Sequence, residues 1–116
     1  MIEYTTYKMG DAEEILVVAV RGHVDNESSK FFFDCLQGMI EEGNKKLVID
    51  LREIDYMSSL ALGMLVRANS RMKKIGGDVK LARVEGLVAD ILNTVGLNKL
   101  FHLYPTVREA CASFES

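Results

Sequence analysis

Two adjacent serines, Ser58 and Ser59, stand where a short apolar run gives way to a long amphipathic segment. A serine oxygen readily accepts an amide proton from the first turn of a helix, so either serine is suited to be an N-cap. A helix start also carries about half a positive elementary charge and several unpaired amides, and both favour an anion. The pair therefore has two candidate roles: a helix cap alone, or a cap beside a hydroxyl that accepts a phosphate.

The segment after the serines predicts a helix with two distinct faces. The face expected to lie in the core carries Ala61, Leu65, Ala68, Met72 and Ile75. The opposite face carries Ser59, Gly63, Arg67, Ser70 and Lys74. Ser59 is thus expected to be exposed, beside a glycine that lets a partner approach closely. A phosphate there would add about −1.5 to −2 charges to the surface without breaking the helix.

Catalytic chemistry finds little support elsewhere in the sequence. The chain has no G-x-G-x-x-G, P-loop, H-E-x-x-H or G-x-S-x-G motif. His23 and His102 are too few and too far apart for a metal site. A Ser-His-Asp arrangement of Ser59, His23 and Asp25 has only the presence of those residues in its favour. The sequence therefore favours a binding protein over an enzyme and predicts no metal and no cofactor.

Length and composition indicate one domain, spanning residues 1–116. The 116 residues are 48% hydrophobic with one proline, which suits a compact core. The net charge of −3, with no cluster of cations and aromatics, argues against nucleic acid. Cys35 and Cys111 lie in helical patterns and are expected to be reduced thiols.

No apolar run reaches transmembrane length, and the N-terminus lacks a signal-peptide profile. These features predict a cytoplasmic protein that does not insert into a membrane. The oligomeric state stays open between a monomer and a weak dimer. Three consecutive phenylalanines, Phe31, Phe32 and Phe33, cannot all face one core, so at least one is expected to be exposed.

The order of elements predicts an α/β fold with a mixed sheet of four to five strands and about four α-helices. A hairpin of residues 2–7 and 14–22 comes first, followed by a polar loop over residues 23–26. Residues 47–51 form a buried strand, and residues 52–57 connect it to the serines. A later helix is expected to be nearly all core, through Leu87, Val88, Ile91, Leu92 and Val95.

Five short motifs appear in a fixed order along the chain. They are Gly22–Asp25, Ser58–Gly63, Gly76-Gly77, Gly96-Leu97 through Phe101, and Thr106–Ala110. Each is weak alone, but in this order and spacing they resemble the STAS domain of the bacterial anti-sigma factor antagonist type, over nearly the whole chain.

The resemblance implies a non-enzymatic regulator that works by partner switching. It implies that the unphosphorylated protein binds an anti-sigma factor, usually a serine protein kinase, which then phosphorylates Ser59 and releases it. It also implies a binding surface formed by the Asp25 loop and the outer face of the helix. The residues expected on that surface are Asp25, Asn26, Ser58, Ser59, Leu60, Gly63, Val66 and Arg67.

Two residues depart from the family pattern. Ser58 stands where the family has aspartate, and Ala61 where it has glycine. The first change makes Ser58 an alternative phosphoacceptor. It also favours a second hypothesis, a STAS scaffold subunit of a stress-signalling or lipid-transport assembly that is not phosphorylated. The second change is expected to narrow the space available to a partner.

Overall fold

The structure, a computed structural model, describes residues 2–114, which form one five-stranded mixed sheet and four α-helices. The strands are β1 (Ile2–Met9), β2 (Ile15–Val24), β3 (Lys46–Met57), β4 (Asp78–Ala82) and β5 (Leu103–Tyr104). The helices are α1 (Asn26–Glu41), α2 (Ser59–Lys74), α3 (Gly86–Thr94) and α4 (Val107–Ser113), with a 3₁₀ turn at Leu97–Lys99. The predicted fold class is confirmed.

The sheet has the order β1-β2-β3-β4-β5, with β1 antiparallel to β2 and the other neighbours parallel. The connections between successive parallel strands share one handedness, so α1, α2 and α3 lie on the same face of the sheet. Their apolar residues join Leu47 and Ile49 of β3 in the larger core. Val48 points the other way and packs against α4. The central strand is therefore buried on both faces, as its apolar run predicts.

Two strands are longer than predicted at their carboxyl ends. β2 continues through His23 and Val24, and residues 52–57, predicted as a connector, belong to β3. Beyond Leu51, β3 pairs only with β2, because its pairing with β4 stops at Asp50. This two-stranded extension exposes four of its six side chains, Arg52, Glu53, Asp55 and Tyr56, so its charges suggested a loop. Ile54 and Met57 nevertheless face the core.

The buried faces of two helices differ from the prediction. On α2 the predicted core residues are buried except Ile75, which follows the last turn and is 41% exposed. On α3 only Val88 and Leu92 are buried, whereas Leu87 and Val95 are more than half exposed. A nine-residue helix packed on one side cannot bury an apolar surface that runs nearly all the way round it.

The phenylalanine trio divides as expected. Phe32 and Phe33 are buried, whereas Phe31 is 50% exposed and its ring lies 6.3 Å from that of Tyr4. Across residues 2–114, no helix has both the length and the apolar character to cross a membrane.

Candidate functional site

Two helices begin at the same edge of the sheet, because α1 follows β2 and α2 follows β3, its parallel neighbour. A backbone hydrogen bond joins the two starts: the Ser58 N–H donates to the Val24 carbonyl at 2.9 Å. The Asp25 loop and the serine pair, far apart in sequence, therefore lie side by side, as predicted.

Ser58 is the N-cap of α2. Its Oγ accepts the Ala61 N–H at 3.1 Å, its carbonyl accepts the Leu62 N–H at 2.9 Å, and the residue is only 6% exposed. Serine and aspartate are both preferred N-caps, so serine retains the cap while removing the negative charge of the family's aspartate. Modification of this hydroxyl would require it to leave the cap.

Ser59 is the first residue of α2 and is exposed. Among the described residues its hydroxyl makes no hydrogen bond. The backbone N–H groups of Ser59 and Leu60 also lack acceptors in this part of the chain, as expected for a first helical turn. The first turn of α2 contains no acidic residue. The environment of Ser59 thus suits a hydroxyl that gains negative charge.

Asp25 is the N-cap of α1. Its Oδ1 accepts the Ser28 N–H and the Ser28 hydroxyl, each at 2.9 Å, while the Ser28 Oγ accepts the Asp25 N–H at 3.0 Å. This reciprocal arrangement is a capping box. The backbone hydrogen bond from Ser28, followed by that of its side chain, lowers the pKa of Asp25 below its ordinary value of 3.8.

Because Asp25 caps α1, replacing its side chain is expected to lower the thermal stability of the protein. Asp25→Ala is expected to lower the Tm by a few degrees, whereas Asp25→Asn, which retains the acceptor, should lower it less. Because the pKa of Asp25 is lowered in the fold, its charge stabilises the protein at neutral pH, and this contribution is lost as the pH falls through the folded pKa. Thermal melts of wild type and Asp25→Asn should therefore differ at neutral pH, and the difference should shrink as the pH falls below the ordinary value of 3.8 towards the lowered pKa. Equal melting of all three proteins at neutral pH would contradict the cap.

A hollow of about 300 Å³ lies between the two helix starts. It is lined by Asp25, Asn26, Glu27, Tyr56 and Ser58. Tyr56, at the end of β3 and 42% exposed, was missed by the sequence analysis because it was assigned to a connector. Its side chain adds an aromatic surface to the predicted Asp25 loop.

The Ser-His-Asp arrangement is not assembled. His23 Nδ1 lies 2.7 Å from Asp55 Oδ1, and Asp25 is engaged with Ser28. Among the described residues, the Ser59 hydroxyl forms no hydrogen bond with either. Within residues 2–114 no group of three or more His, Cys, Asp or Glu side chains could hold a metal ion.

A second, apolar groove of about 280 Å³ adjoins Ser59 on its other side. It is lined by Ser59, Leu62, Gly63, Val66, Val95 and Leu97. A Cβ added at Gly63 would meet nothing within 4 Å, so the groove is open at this residue. Three predicted surface residues, Ser59, Gly63 and Val66, meet here. Val95 and Leu97 were missed, since an apolar residue near the end of a helix reads as core.

The remaining predicted residues of α2 fall into two groups. Leu60 is 46% exposed and Arg67 is exposed, so both are accessible to a partner. Ala61 is fully buried and packs in the core. The expectation that Ala61 narrows the space for a partner is therefore wrong, because its side chain points away from that surface.

A larger groove of about 690 Å³ lies between β1 and α1. Its lining includes Lys8, Asp34, Cys35 and Glu42 but none of the predicted site residues. It is separate from the surface around Ser59, and its mixed charges do not converge on one point: Lys8 binds Asn44 at 3.3 Å while Asp34 binds Lys30 at 2.8 Å.

Comparison with known proteins identifies relatives that match most of the chain. A family model described as the STAS domain matches residues 7–110. The anti-sigma-B factor antagonist of Bacillus subtilis is 28% identical over 91 residues, covering 78% of this chain and 83% of the relative.

Solved structures share the fold. An anti-sigma factor antagonist from Mycobacterium paratuberculosis superposes with a TM-score of 0.87 at 22% identity, over all of this chain and 96% of the other. The antagonist SpoIIAA of Bacillus, in its unphosphorylated form, superposes with a TM-score of 0.81 at 15% identity, over 97% and 96% of the two chains. At these identities the structural likeness establishes the fold alone.

Proposed function

Because the chain belongs to the STAS domain family, we propose that it is an anti-sigma factor antagonist whose binding to an anti-sigma factor is switched off by phosphorylation of Ser59. The anti-sigma factor is a serine protein kinase that uses its own ATP. The protein itself has no catalytic role in this exchange. It contributes a binding surface whose affinity for the anti-sigma factor is lowered by a single phosphate.

The observation that carries the proposal is the contrast between the two serines. The Ser59 hydroxyl is exposed and unbonded among the described residues, at the rim of the apolar groove. The Ser58 hydroxyl is buried and bonded to the Ala61 N–H. Ser59 can therefore accept a phosphate without loss of a hydrogen bond, whereas Ser58 would first have to leave the cap of α2.

The same geometry explains how a phosphate would act. A dianion on Ser59 lies near the unbonded N–H groups of Ser59 and Leu60 and the positive end of the α2 dipole, so the free protein tolerates it. In a complex the phosphate would be pressed against a desolvated apolar contact, where burying a charge is costly. Each 1.4 kcal/mol lost is about a tenfold loss of affinity, so a few kcal/mol suffice.

Known proteins support the regulatory class. The Bacillus subtilis relative is named an antagonist of an anti-sigma-B factor. A structure of SpoIIAA in its phosphorylated form shares this fold with a TM-score of 0.72. The partner surface we propose comprises the Asp25–Asn26 loop with Ser58 and Tyr56, and the outer face of α2 from Ser59 to Arg67.

The test uses the serine-kinase anti-sigma factors encoded in the source genome, purified one at a time. Each is mixed with this protein, complex formation is measured by calorimetry, and MgATP is then added and the phosphosite mapped by mass spectrometry. We expect one kinase to bind, to phosphorylate Ser59 and to release the product. Phosphate on Ser58 would contradict the assignment of the site. Absence of both binding and phosphate with every kinase would instead favour the unphosphorylated scaffold.

A further inference from the structure

We infer that the partner contacts the outer face of α2 along most of its length. It inserts an apolar side chain into the groove walled by Val95 and Leu97, and it places carboxylates against Arg67 and Arg71. This inference rests on the proposed function, which it deepens by specifying the chemistry of the partner surface. It also extends the interface from α2 to the end of α3.

The groove suits a side chain better than a small molecule. Its volume of about 280 Å³ lies at the lower limit of the roughly 300–1,000 Å³ typical of ligand pockets, which also carry several placed polar groups. Its lining is apolar apart from Ser59. Val95 is 55% exposed at the end of α3, opposite Val66 and Gly63 of α2. A single exposed valine needs no explanation, but here it forms one wall of a groove whose other wall carries the proposed phosphoacceptor.

The far half of α2 is strongly basic. The helix contains four cations, Arg67, Arg71, Lys73 and Lys74, and no acidic residue. Lys73 forms an ion pair with Asp78 at 2.8 Å. Within the described residues, neither Arg67 nor Arg71 has a carboxylate partner. In a chain of net charge −3, these guanidiniums form a local positive patch on the surface that faces the partner.

Phe33 holds the two arginines in place. The Arg67 guanidinium lies 4.7 Å from the centre of the Phe33 ring, and that of Arg71 lies 5.4 Å from it. Stacking on a buried ring restricts both side chains, so less freedom is lost when they bind carboxylates. A fixed fork of donors favours carboxylates, and thus an acidic surface on the partner.

The arginines are too far along α2 to bind a phosphate on Ser59. Arg67 is eight residues and Arg71 twelve residues from Ser59, which at 1.5 Å per residue is about 12 and 18 Å. Screening at physiological salt acts over about 8 Å. The arginine patch therefore binds the partner directly, and the phosphate on Ser59 acts on the contact at the apolar groove instead. The groove reaches Val66, and from Gly63 the two arginines are four and eight residues along the helix, so a partner must present its apolar side chain and its carboxylates about 6–12 Å apart.

Two variants test the two ends with the kinase identified above as the probe. Val95→Asp places a charge in the groove, and the double variant Arg67→Glu/Arg71→Glu reverses the patch. We expect each to raise the Kd at least about tenfold, and the double variant to flatten the dependence of Kd on salt between 50 and 300 mM NaCl. Controls are Leu87→Asp, an exposed apolar residue of α3 outside the groove, and Arg108→Glu on α4, across the sheet.

The outcomes separate this inference from the proposed function. If Val95→Asp and the double variant bind within about twofold of wild type while phosphorylated wild type is released, the inference is wrong and the switch stands. If wild type binds no kinase, the proposed function fails first. Should a charge variant melt below wild type, Val95→Ser or Arg67→Gln/Arg71→Gln replaces it. Normal binding by those milder, folded variants would also overturn the inference.

Discussion

Ser59→Asp is expected to raise the Kd for the proposed anti-sigma kinase at least about 100-fold and to leave the Tm within about 2 °C of wild type. The side chain is exposed and unbonded among the described residues, so the fold loses nothing when it changes. A carboxylate at the first position of α2 even interacts favourably with the helix dipole. In the complex the same charge must be desolvated beside the apolar groove. Calorimetric titration and thermal melts on the same samples measure both quantities.

Matched variants at the neighbouring serine separate binding from stability. Ser59→Ala should bind as tightly as wild type and resist release by MgATP. Ser58→Ala should lose about 1 kcal/mol of unfolding free energy with the N-cap, and its folded fraction should still bind. The pattern reverses if Ser58 is the phosphoacceptor: Ser58→Ala would then bind normally and escape release. Equal binding by Ser59→Asp and wild type would exclude the switch altogether.

The sequence predicted the geometry of the candidate site most accurately where a residue's position follows from periodicity. The exposure of Ser59, Gly63 and Arg67 follows from a sixteen-residue helix packed on one side, because one face must then remain in water. The proximity of Asp25 to Ser58 follows from parallel neighbouring strands, whose carboxyl ends share one edge of the sheet. Both predictions depend on the geometry of regular elements and need no knowledge of side-chain packing.

Other parts of the surface could not be predicted in this way. Val95 and Leu97 wall the groove only because α3 docks beside α2 at a particular rotation. The sequence of α3 is apolar nearly all round, so hydrophobic pattern alone does not fix that rotation. Tyr56 was missed for a related reason. Its strand continues past the last residue paired with β4 and is then paired with β2 only, and there two exposed residues precede each buried one, which hides the period of a strand.

The sequence analysis also did not predict an ion pair between neighbouring strands of the sheet. Asp50 on β3 and Arg83 after β4 are 33 positions apart, and no motif connects them. In the structure Arg83 Nε donates to Asp50 Oδ1 at 3.0 Å and Nη2 donates to Oδ2 at 2.5 Å. The Asp50 side chain is 4% exposed, that of Arg83 33%. This pair lies on the α4 side of the sheet, away from Ser59, and it should affect stability rather than binding.

Arg83→Met is expected to lower the free energy of unfolding by about 3 kcal/mol, the low end for breaking a buried pair because Arg83 is partly exposed. The loss arises because the nearly buried Asp50 side chain is left, among the described residues, with the Arg52 N–H at 3.2 Å as its remaining donor. Methionine has a Cβ like arginine, so the left-handed backbone at φ 56° is equally strained in both proteins. Urea unfolding at neutral pH measures the change.

A second substitution tests whether the unpaired charge is the cause. Asp50→Asn/Arg83→Met removes that charge while retaining an oxygen for the Arg52 N–H, so it should recover at least about half of the loss. If the double variant is no more stable than Arg83→Met, the loss comes from the packing of the arginine stem instead. Both variants should bind the kinase as wild type does when folded, because the pair touches neither the groove nor the Asp25 hollow. Stability and partner switching would then be separable properties of the two faces of one sheet.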